Sequence, residues 1–328
     1  MMMKITGTGS ALPREAVDNN QIAEWVETSD EWVRERTGIG SRRISTGETV
    51  VSLAAQACEK ALQQAGKDAL EVDMILLATC SPEYLLPCCA CQVQAQIGAA
   101  NAVAFDINAA CSGFLFGLNT AYAYLQTGMY KTILVVGSEV LSKLVDWKDR
   151  SSCILFGDGA GAALVEAAGE QEQPCGLIAG VQGCDGVKGM VLKCRERALQ
   201  NPLFREEFQD GENLYVQMDG REVYRFATRQ VADCIQEALE KAQLSVEDID
   251  LFVLHQANVR IIEAVAKRLH ADIERFPMNL EQVGNISSAT IPVLLDELNR
   301  EGKLHRGDKI VLSGFGAGLT YGACIFIW

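Results

Sequence analysis

Ala104-Phe-Asp-Ile-Asn-Ala-Ala-Cys-Ser-Gly-Phe-Leu-Phe-Gly-Leu118, running on to Gly128, reads as a short strand, a tight turn of small residues and a helix. From Phe114 to Leu125 nearly every position is apolar or small, so the helix is expected to be buried on all faces, with Gly128 as its C-terminal cap. Cys111 falls at the turn. There the unpaired N–H groups and the helix dipole favour an anion, and are expected to bring the thiol pKa from about 8.5 into the range of about 3.5 to 7.5. Ala109, Ala110 and Gly113 leave room for a substrate. With 12 cysteines in the chain, any one of them is by default a small buried hydrophobe, and it is position that makes Cys111 a candidate nucleophile.

Working outward, Val72 to Ala78 reads as a strand, Thr132 to Val136 as a strand buried on both faces, and Val50 to Ala65 as a helix closed by Gly66. Lys4 to Pro13 reads as a strand entering a glycine-rich turn, and Cys153 to Val165 as strand, glycine turn, strand. The Gly157-x-Gly159-x-Gly161 spacing lacks a complete GxGxxG pattern and a following helix, so it is read as structural. Asp18 with Gln21, and Thr28 with Glu31, have capping-box spacing and start two short helices. A polar break at Gly169 to Pro174 divides the chain into residues 1–171 and 172–328. Beyond it the pattern begins again at a constant offset of 177. Ala61, Asp73, Leu77, Asn108, Ile133 and Gly137 recur as Ala238, Asp250, Leu254, Asn285, Ile310 and Gly314. One offset across several elements implies two similar α/β units packed about a pseudo-twofold axis. Helix Arg221 to Ala242 is capped by Asp219, and the polar segment 184–218 reads as an excursion over the surface near the substrate entrance.

A 328-residue chain that is 48% hydrophobic and 22% charged is globular, and its formal charge of −14 argues against nucleic acid as a partner. No apolar run approaches the ~18 residues a membrane span needs, and Met1 to Pro13 lacks the apolar core of a signal peptide. A cytoplasmic protein with reduced cysteines is expected.

The duplication places His255, at the end of strand Ile249 to Leu254, where α/β folds put their chemistry, whereas His270 and His305 fall in solvated turns. Asn285 is the second-half equivalent of Asn108 beside the Cys111 turn, and across a pseudo-twofold such turns face each other. A thiol at a helix tip with a His and an Asn on converging loops makes a coherent acyl-transfer site. Arg260, Lys267 and Arg268 share one helical face and form a local basic patch suited to an acidic partner.

Five motifs carry a resemblance: Asp106-Ile-Asn-Ala-Ala-Cys111-Ser-Gly-Phe, His255-Gln-Ala-Asn-Val-Arg260, Gly284-Asn285-Ile-Ser-Ser-Ala, Phe156-Gly-Asp-Gly-Ala-Gly161 and Gly314-Phe-Gly-Ala-Gly-Leu-Thr-Tyr-Gly322. The chain resembles, almost end to end, the β-ketoacyl-[acyl-carrier-protein] synthase III family. The resemblance implies a thiolase-like α/β fold of two duplicated halves in a five-layered α-β-α-β-α arrangement. It further implies a homodimer that condenses an acyl-CoA with malonyl-acyl carrier protein, losing carbon dioxide, with no cofactor. Cys111 would carry the acyl group, and His255 and Asn285 would stabilise the enolate. The backbone N–H groups of Cys111 and Ala317 would form the oxyanion hole, although relatives have Gly at the Ala317 position. Coenzyme A would lie against Thr28, Trp32, Arg36, Arg150 and Asn258. The carrier protein would meet Gln256, Ala257, Asn258, Val259, Arg260, Lys267 and Arg268. Leu86 would bound the acyl pocket on a loop reaching the partner subunit.

Three other readings compete. A ketosynthase III-like enzyme of secondary metabolism, of polyketide or quinolone type, shares the fold and uses the same triad. A degradative thiolase needs a second acidic cysteine, and Cys324 lies in an apolar strand instead. A metal or redox protein built on Cys80, Cys88, Cys89 and Cys91 lacks a second ligand pair at metal spacing, so no metal is expected.

Overall fold

The computed structural model describes residues 2–169, 175–195 and 214–328. The expected boundary at residues 171 and 172, and residues 196–213 of the polar excursion, lie outside the described residues. The first half forms a five-stranded sheet of β1 (Met3–Ala11), β2 (Met74–Ala78), β3 (Val103–Ile107), β4 (Thr132–Val140) and β5 (Asp158–Ala167), in the order β1-β5-β4-β2-β3. The second forms a four-stranded sheet of β6 (Gly176–Gly189), β7 (Leu251–Leu254), β8 (Lys309–Gly316) and β9 (Gly318–Ile327), in the order β6-β9-β8-β7. In each sheet two of the duplicated strands, β2 with β4 and β7 with β8, run parallel.

Helices α1 (Val50–Ala65), α2 (Gly113–Thr127), α3 (Gly220–Ala242), α4 (Val259–Leu269) and α5 (Thr290–Arg300) supply the other layers. Along β4, Leu134 and Val136 face α1 through Leu53, Ala57 and Ala61, while Ile133 and Val135 face the middle of the molecule. There α2 and α5, carrying Phe114, Leu118, Leu294 and Leu298, lie between the two sheets. On the far side, α3 and α4 cover Phe252, Val311 and Ile325. The layers run α-β-α-β-α, and a strand with helices on both faces has to be apolar at every position.

The offset of 177 holds to the residue. Helices α2 and α5 begin at Gly113 and Thr290, β4 and β8 at Thr132 and Lys309, and the left-handed caps of α1 and α3 are Gly66 and Gln243. Even a local clamp is repeated. The Asp73 N–H bonds Thr132 O at 2.9 Å and its Oδ2 accepts the Thr132 N–H at 3.0 Å. Asp250 does the same with Lys309, at 2.8 Å for both bonds. The repeat breaks where β3 would recur, for that stretch is the short helix Leu280–Val283.

Three local expectations are corrected. Lys4 to Pro13 has no glycine turn: Gly7 and Gly9 lie inside β1, which runs on to Ala11, and they admit α1, since a Cβ on Gly9 would stand 2.2 Å from Ala57 O. Gly159 and Gly161 likewise lie inside β5, where a Cβ on Gly161 would meet the Val293 nitrogen of α5 at 2.6 Å. Glycine here is a packing residue, which in sequence looks like a turn residue. Finally, the second short helix, Asp30–Thr37, is capped by Ser29, whose Oγ accepts the Trp32 N–H at 3.1 Å, and not by Thr28.

Gly9→Ala is expected to destabilise the fold by about 1–3 kcal/mol by forcing α1 from the sheet. Urea unfolding checks this, and an unchanged midpoint would show that the contact is not tight.

Candidate active site

Two residues other than glycine hold left-handed backbone at matched points of the two halves, Ala110 (φ 47°) and Ser287 (φ 50°). Each opens a 3-10 turn, Ala110–Ser112 and Ser287–Ala289, that leads directly into α2 or α5. Each is also tethered by an asparagine two residues earlier. Asn108 Oδ1 accepts the Ala110 N–H at 3.3 Å, and Asn285 Oδ1 accepts the Ser287 N–H at 2.9 Å. The two turns pack together, and three glycines permit it. A Cβ on Gly113 would lie 2.7 Å from that of Ala78, one on Gly137 2.4 Å from Ser288 O, and one on Gly316 2.7 Å from the Cys111 nitrogen.

Cys111 opens onto a cavity of about 510 Å³ whose wall includes Cys80, Ser287, Phe156, Met190 and Ala317. Gly186, Gly189, Leu192 and Val216, from the start and end of the polar excursion, also line it. His255 and Asn285 are not in this wall. Both are buried; Asn285 bonds Ser287 directly, and His255 reaches it through Thr290. Asn285 spends its carboxamide oxygen on the Ser287 N–H, which leaves Nδ2 as the donor. The His255 Nδ1 is 2.7 Å from Thr290 Oγ1, which in turn lies 3.1 Å from Ser287 O. Of these two contacts, the Thr290 hydroxyl donates to Ser287 O. The ring edge packs against Phe315 at 5.4 Å between centroids.

The electrostatics differ from expectation. Burial pushes the Cys111 thiol up to about 11; the Ser287 hydroxyl and the cysteine's own N–H favour the thiolate, while the Glu139 carboxylate opposes it. The helix tip does not offset desolvation, and Lys193, the cation in the cavity wall, is itself exposed, so the expected lowering is corrected. Burial also lowers His255 to about 3, so the imidazole is neutral. Sequence reasoning missed Ser287, Thr290 and Glu139. The offset already marked Ser287 as the partner of Ala110, whereas Glu139 reads as one polar residue in an apolar strand.

The residues expected to hold a nucleotide come together. The Arg36 and Arg150 guanidinium groups stand 4.5 and 4.7 Å from the centre of the Trp32 ring. Asn258 caps α4 by accepting the Arg260 N–H at 2.9 Å, and its Nδ2 donates to Arg36 O at 3.0 Å. Thr28 Oγ1 is buried and has no hydrogen-bond partner among the described residues. Trp32 packs against the same apolar cluster as Leu141 and Phe156, which line the cavity. Arg260, Lys267 and Arg268 are exposed on α4, and Ala257 and Val259 are half-buried. Gln256 is corrected as a surface contact. It is 0% exposed, donates to Leu254 O at 2.8 Å and accepts the Asn279 N–H at 3.2 Å. Leu86, 87% exposed, does not line the cavity of the single chain. Among the described residues, no three His, Cys, Asp or Glu side chains could together hold a metal ion, and no helix is long and apolar enough to cross a membrane.

Comparison with known proteins places this geometry. The family models for 3-oxoacyl-[acyl-carrier-protein] synthase III and its C-terminal region match residues 105–186 and 239–328. A β-ketoacyl-[acyl-carrier-protein] synthase III of Clostridium acetobutylicum is 46% identical over 99% of this chain and 98% of its own. The crystal structure of 3-oxoacyl-[acyl-carrier-protein] synthase III from Aquifex aeolicus superposes with a TM-score of 0.92 at 40% identity, covering 99% of this chain and 100% of that one. The priming β-ketosynthase of the R1128 polyketide pathway superposes at 0.91 with 35% identity, covering 99% and 96%. Fold and site together define an acyl-transferring condensing enzyme of thiolase fold. Within that class the chain belongs to the β-ketoacyl-[acyl-carrier-protein] synthase III family, the condensing enzymes that initiate fatty-acid synthesis.

The neutral imidazole has a thermodynamic signature. Unfolded histidine binds a proton below about pH 6.5, but folded His255 does so only near 3, so folding stability falls as pH drops through that window. The slope from this residue is about 1.4 kcal/mol per pH unit. Urea unfolding at pH 4 to 7 should give a shallower dependence for His255→Gln than for the natural protein, and parallel curves would show that the ring is not held neutral.

Proposed function

We propose that this chain condenses an acyl-CoA starter with malonyl-acyl carrier protein, releasing carbon dioxide and forming 3-oxoacyl-acyl carrier protein. The observation that supports this most is the meeting of the two duplicated turns, which gathers a thiol, a carboxamide and a neutral imidazole around Ser287. In the first step the Cys111 sulfur attacks the thioester carbonyl, a new S–C bond forms, and the bond to the coenzyme A sulfur breaks. The Cys111 and Ala317 N–H groups hold the carbonyl oxygen. In the second step malonyl loses carbon dioxide and its electron pair moves into the thioester as an enolate. The neutral His255 imidazole and the Asn285 Nδ2–H donate to that oxygen, and the carbon then attacks the acyl-Cys111 carbonyl. Neutral donors suit this step, because charge develops on the oxygen only as the reaction proceeds. Residues 1–171 thus carry the nucleophile and residues 172–328 the enolate donors.

Trp32 offers a stacking face for adenine, Arg36 and Arg150 offer charge to phosphates, and the unpartnered Thr28 hydroxyl and Asn258 add polar contacts. The exposed cations Arg260, Lys267 and Arg268, with Ala257 and Val259 beside them, suit an acidic carrier on a protein of net charge −14. Tyr84, Leu85 and Leu86 form an exposed apolar loop, which a second copy covers in a homodimer and where Leu86 then bounds the partner's acyl pocket. These steps draw on no cofactor, and the reading places the enzyme in the cytoplasm.

His255→Ala and Asn285→Ala are expected to take the acyl group from acetyl-CoA as the natural protein does, yet to release carbon dioxide from malonyl-acyl carrier protein about 10²–10³-fold more slowly. Loss of acylation in equal measure would overturn the assigned roles.

A further inference from the structure

The steps above leave the stretch Pro87-Cys-Cys-Ala-Cys91 without a task. It opens the helix Cys89–Gln96, with Cys88 at the N-cap and Cys91 as the third helical residue. The Gln92 N–H bonds Cys88 O at 3.4 Å, which closes the first turn and fixes its spacing. Side chains three residues apart on a helix have Cβ atoms about 5–6 Å apart. An N-cap side chain leans inward over that turn, where it ordinarily binds the N–H of the second or third residue. Cys88 makes no such cap bond. Asp106 of β3 caps the helix instead: its Oδ2 accepts the Cys89 N–H at 2.8 Å and its Oδ1 the Ala90 N–H at 2.7 Å. The Cys88 sulfur therefore has no capping duty and lies on the same turn as the Cys91 thiol. Cys91 is exposed and donates to Ala104 O at 3.4 Å, Cys88 is half-buried, and Cys89 between them is buried.

A disulfide spans Cα atoms about 4.4–6.8 Å apart. Helix geometry sets residues three apart at roughly 5 Å, inside that range. A metal would need more ligands than two, and among the described residues no three His, Cys, Asp or Glu side chains could hold one. Neither Cys88 nor Cys91 lines the cavity on which Cys111 opens, so the pair stands apart from the acyl-transfer site. We propose that Cys88 and Cys91 form a redox-active dithiol, a modification site that closes into an intramolecular disulfide on meeting a small-molecule disulfide such as glutathione disulfide. The exposed Cys91 gives its proton to water and attacks one sulfur of the oxidant. A bond from Cys91 to glutathione forms, the oxidant's S–S bond breaks, and one glutathione leaves as a thiolate that takes up a proton. The Cys88 sulfur, deprotonated in turn, attacks Cys91 Sγ, and the second glutathione leaves in the same way. Two protein thiols thus lose two electrons and two protons, and one glutathione disulfide becomes two glutathione thiols. The Cys88 thiol, burial and the Asp106 carboxylate all hold the Cys91 thiol above its ordinary value. A reduced pair that is not stabilised as a thiolate reacts slowly, and its disulfide, once formed, resists reduction.

Cleavage after Glu83 and Asp106 releases the fragment 84–106, which holds Cys88, Cys89 and Cys91 and no other cysteine. The folded, reduced protein is incubated with glutathione disulfide, unfolded in urea containing N-ethylmaleimide, cleaved and weighed by mass spectrometry. The fragment should carry one maleimide, on Cys89, and no glutathione, and should be two hydrogens lighter than the reduced peptide with one maleimide. Treatment with dithiothreitol before the urea step should restore three maleimides. In Cys88→Ser, where serine is itself a good N-cap residue, Cys91 has no resolving partner and its fragment should keep one glutathione. Three maleimides on the oxidised natural fragment would overturn the proposal, as would glutathione retained on its Cys91 or a bond from either cysteine to Cys89. Should Cys88→Ser not fold, the fragment from the natural protein decides alone.

Discussion

The structure turns on two short turns forced into contact. Ala110 and Ser287 both sit in backbone that side-chain-bearing residues avoid, at a cost of roughly 1–3 kcal/mol each, and such strain persists only where the surroundings over-determine it. Here the determinants are explicit. Asparagine oxygens tether both turns, Ser288 Oγ bonds Ala78 O at 3.0 Å, and glycines at 113, 137 and 316 leave no space for a Cβ. Helices α2 and α5 start where those turns end, so the central layer and the active site are fixed by the same contact. Relaxing either turn would misplace the thiol and carboxamide together.

The second consequence is electrostatic. Because the contact lies between two sheets, every titratable group near it is dry: the thiol is pushed up, the imidazole is neutral and the carboxylate holds its proton more tightly. Lys193, the cation in the cavity wall, is exposed. A dry contact stabilises charge by aimed dipoles, which suits a reaction whose negative charge appears on a carbonyl or enolate oxygen during the step. Charged groups are kept for the rim, where Arg36 and Arg150 flank Trp32 and Arg260 hydrogen-bonds Glu35 O at 2.8 Å.

Much of this was legible in the sequence, because a duplication writes the same physics twice. A single offset located His255 and Asn285 from Ala78 and Asn108, and the aspartate clamps and helix caps repeat at the same spacing. Glycine misled where it serves packing: in β1 and β5 it admits a helix, a demand set by tertiary contact and invisible to local pattern. The Cys111 pKa was misjudged for a related reason, since the helix dipole is local whereas desolvation depends on everything packed around the turn. Gln256 looked like a surface residue because it adjoins exposed α4, yet its amide closes two buried backbone bonds. Leu86 lies apart from the cavity, on an exposed loop.

The most direct test of the central claim is peptide mapping by mass spectrometry after incubation with acetyl-CoA. The chain has twelve cysteines, and eleven of them should remain free thiols. The account predicts a single acyl increment, on the peptide carrying Cys111. An increment spread over several cysteines, or placed on Cys80 with Cys111 unmodified, would contradict it.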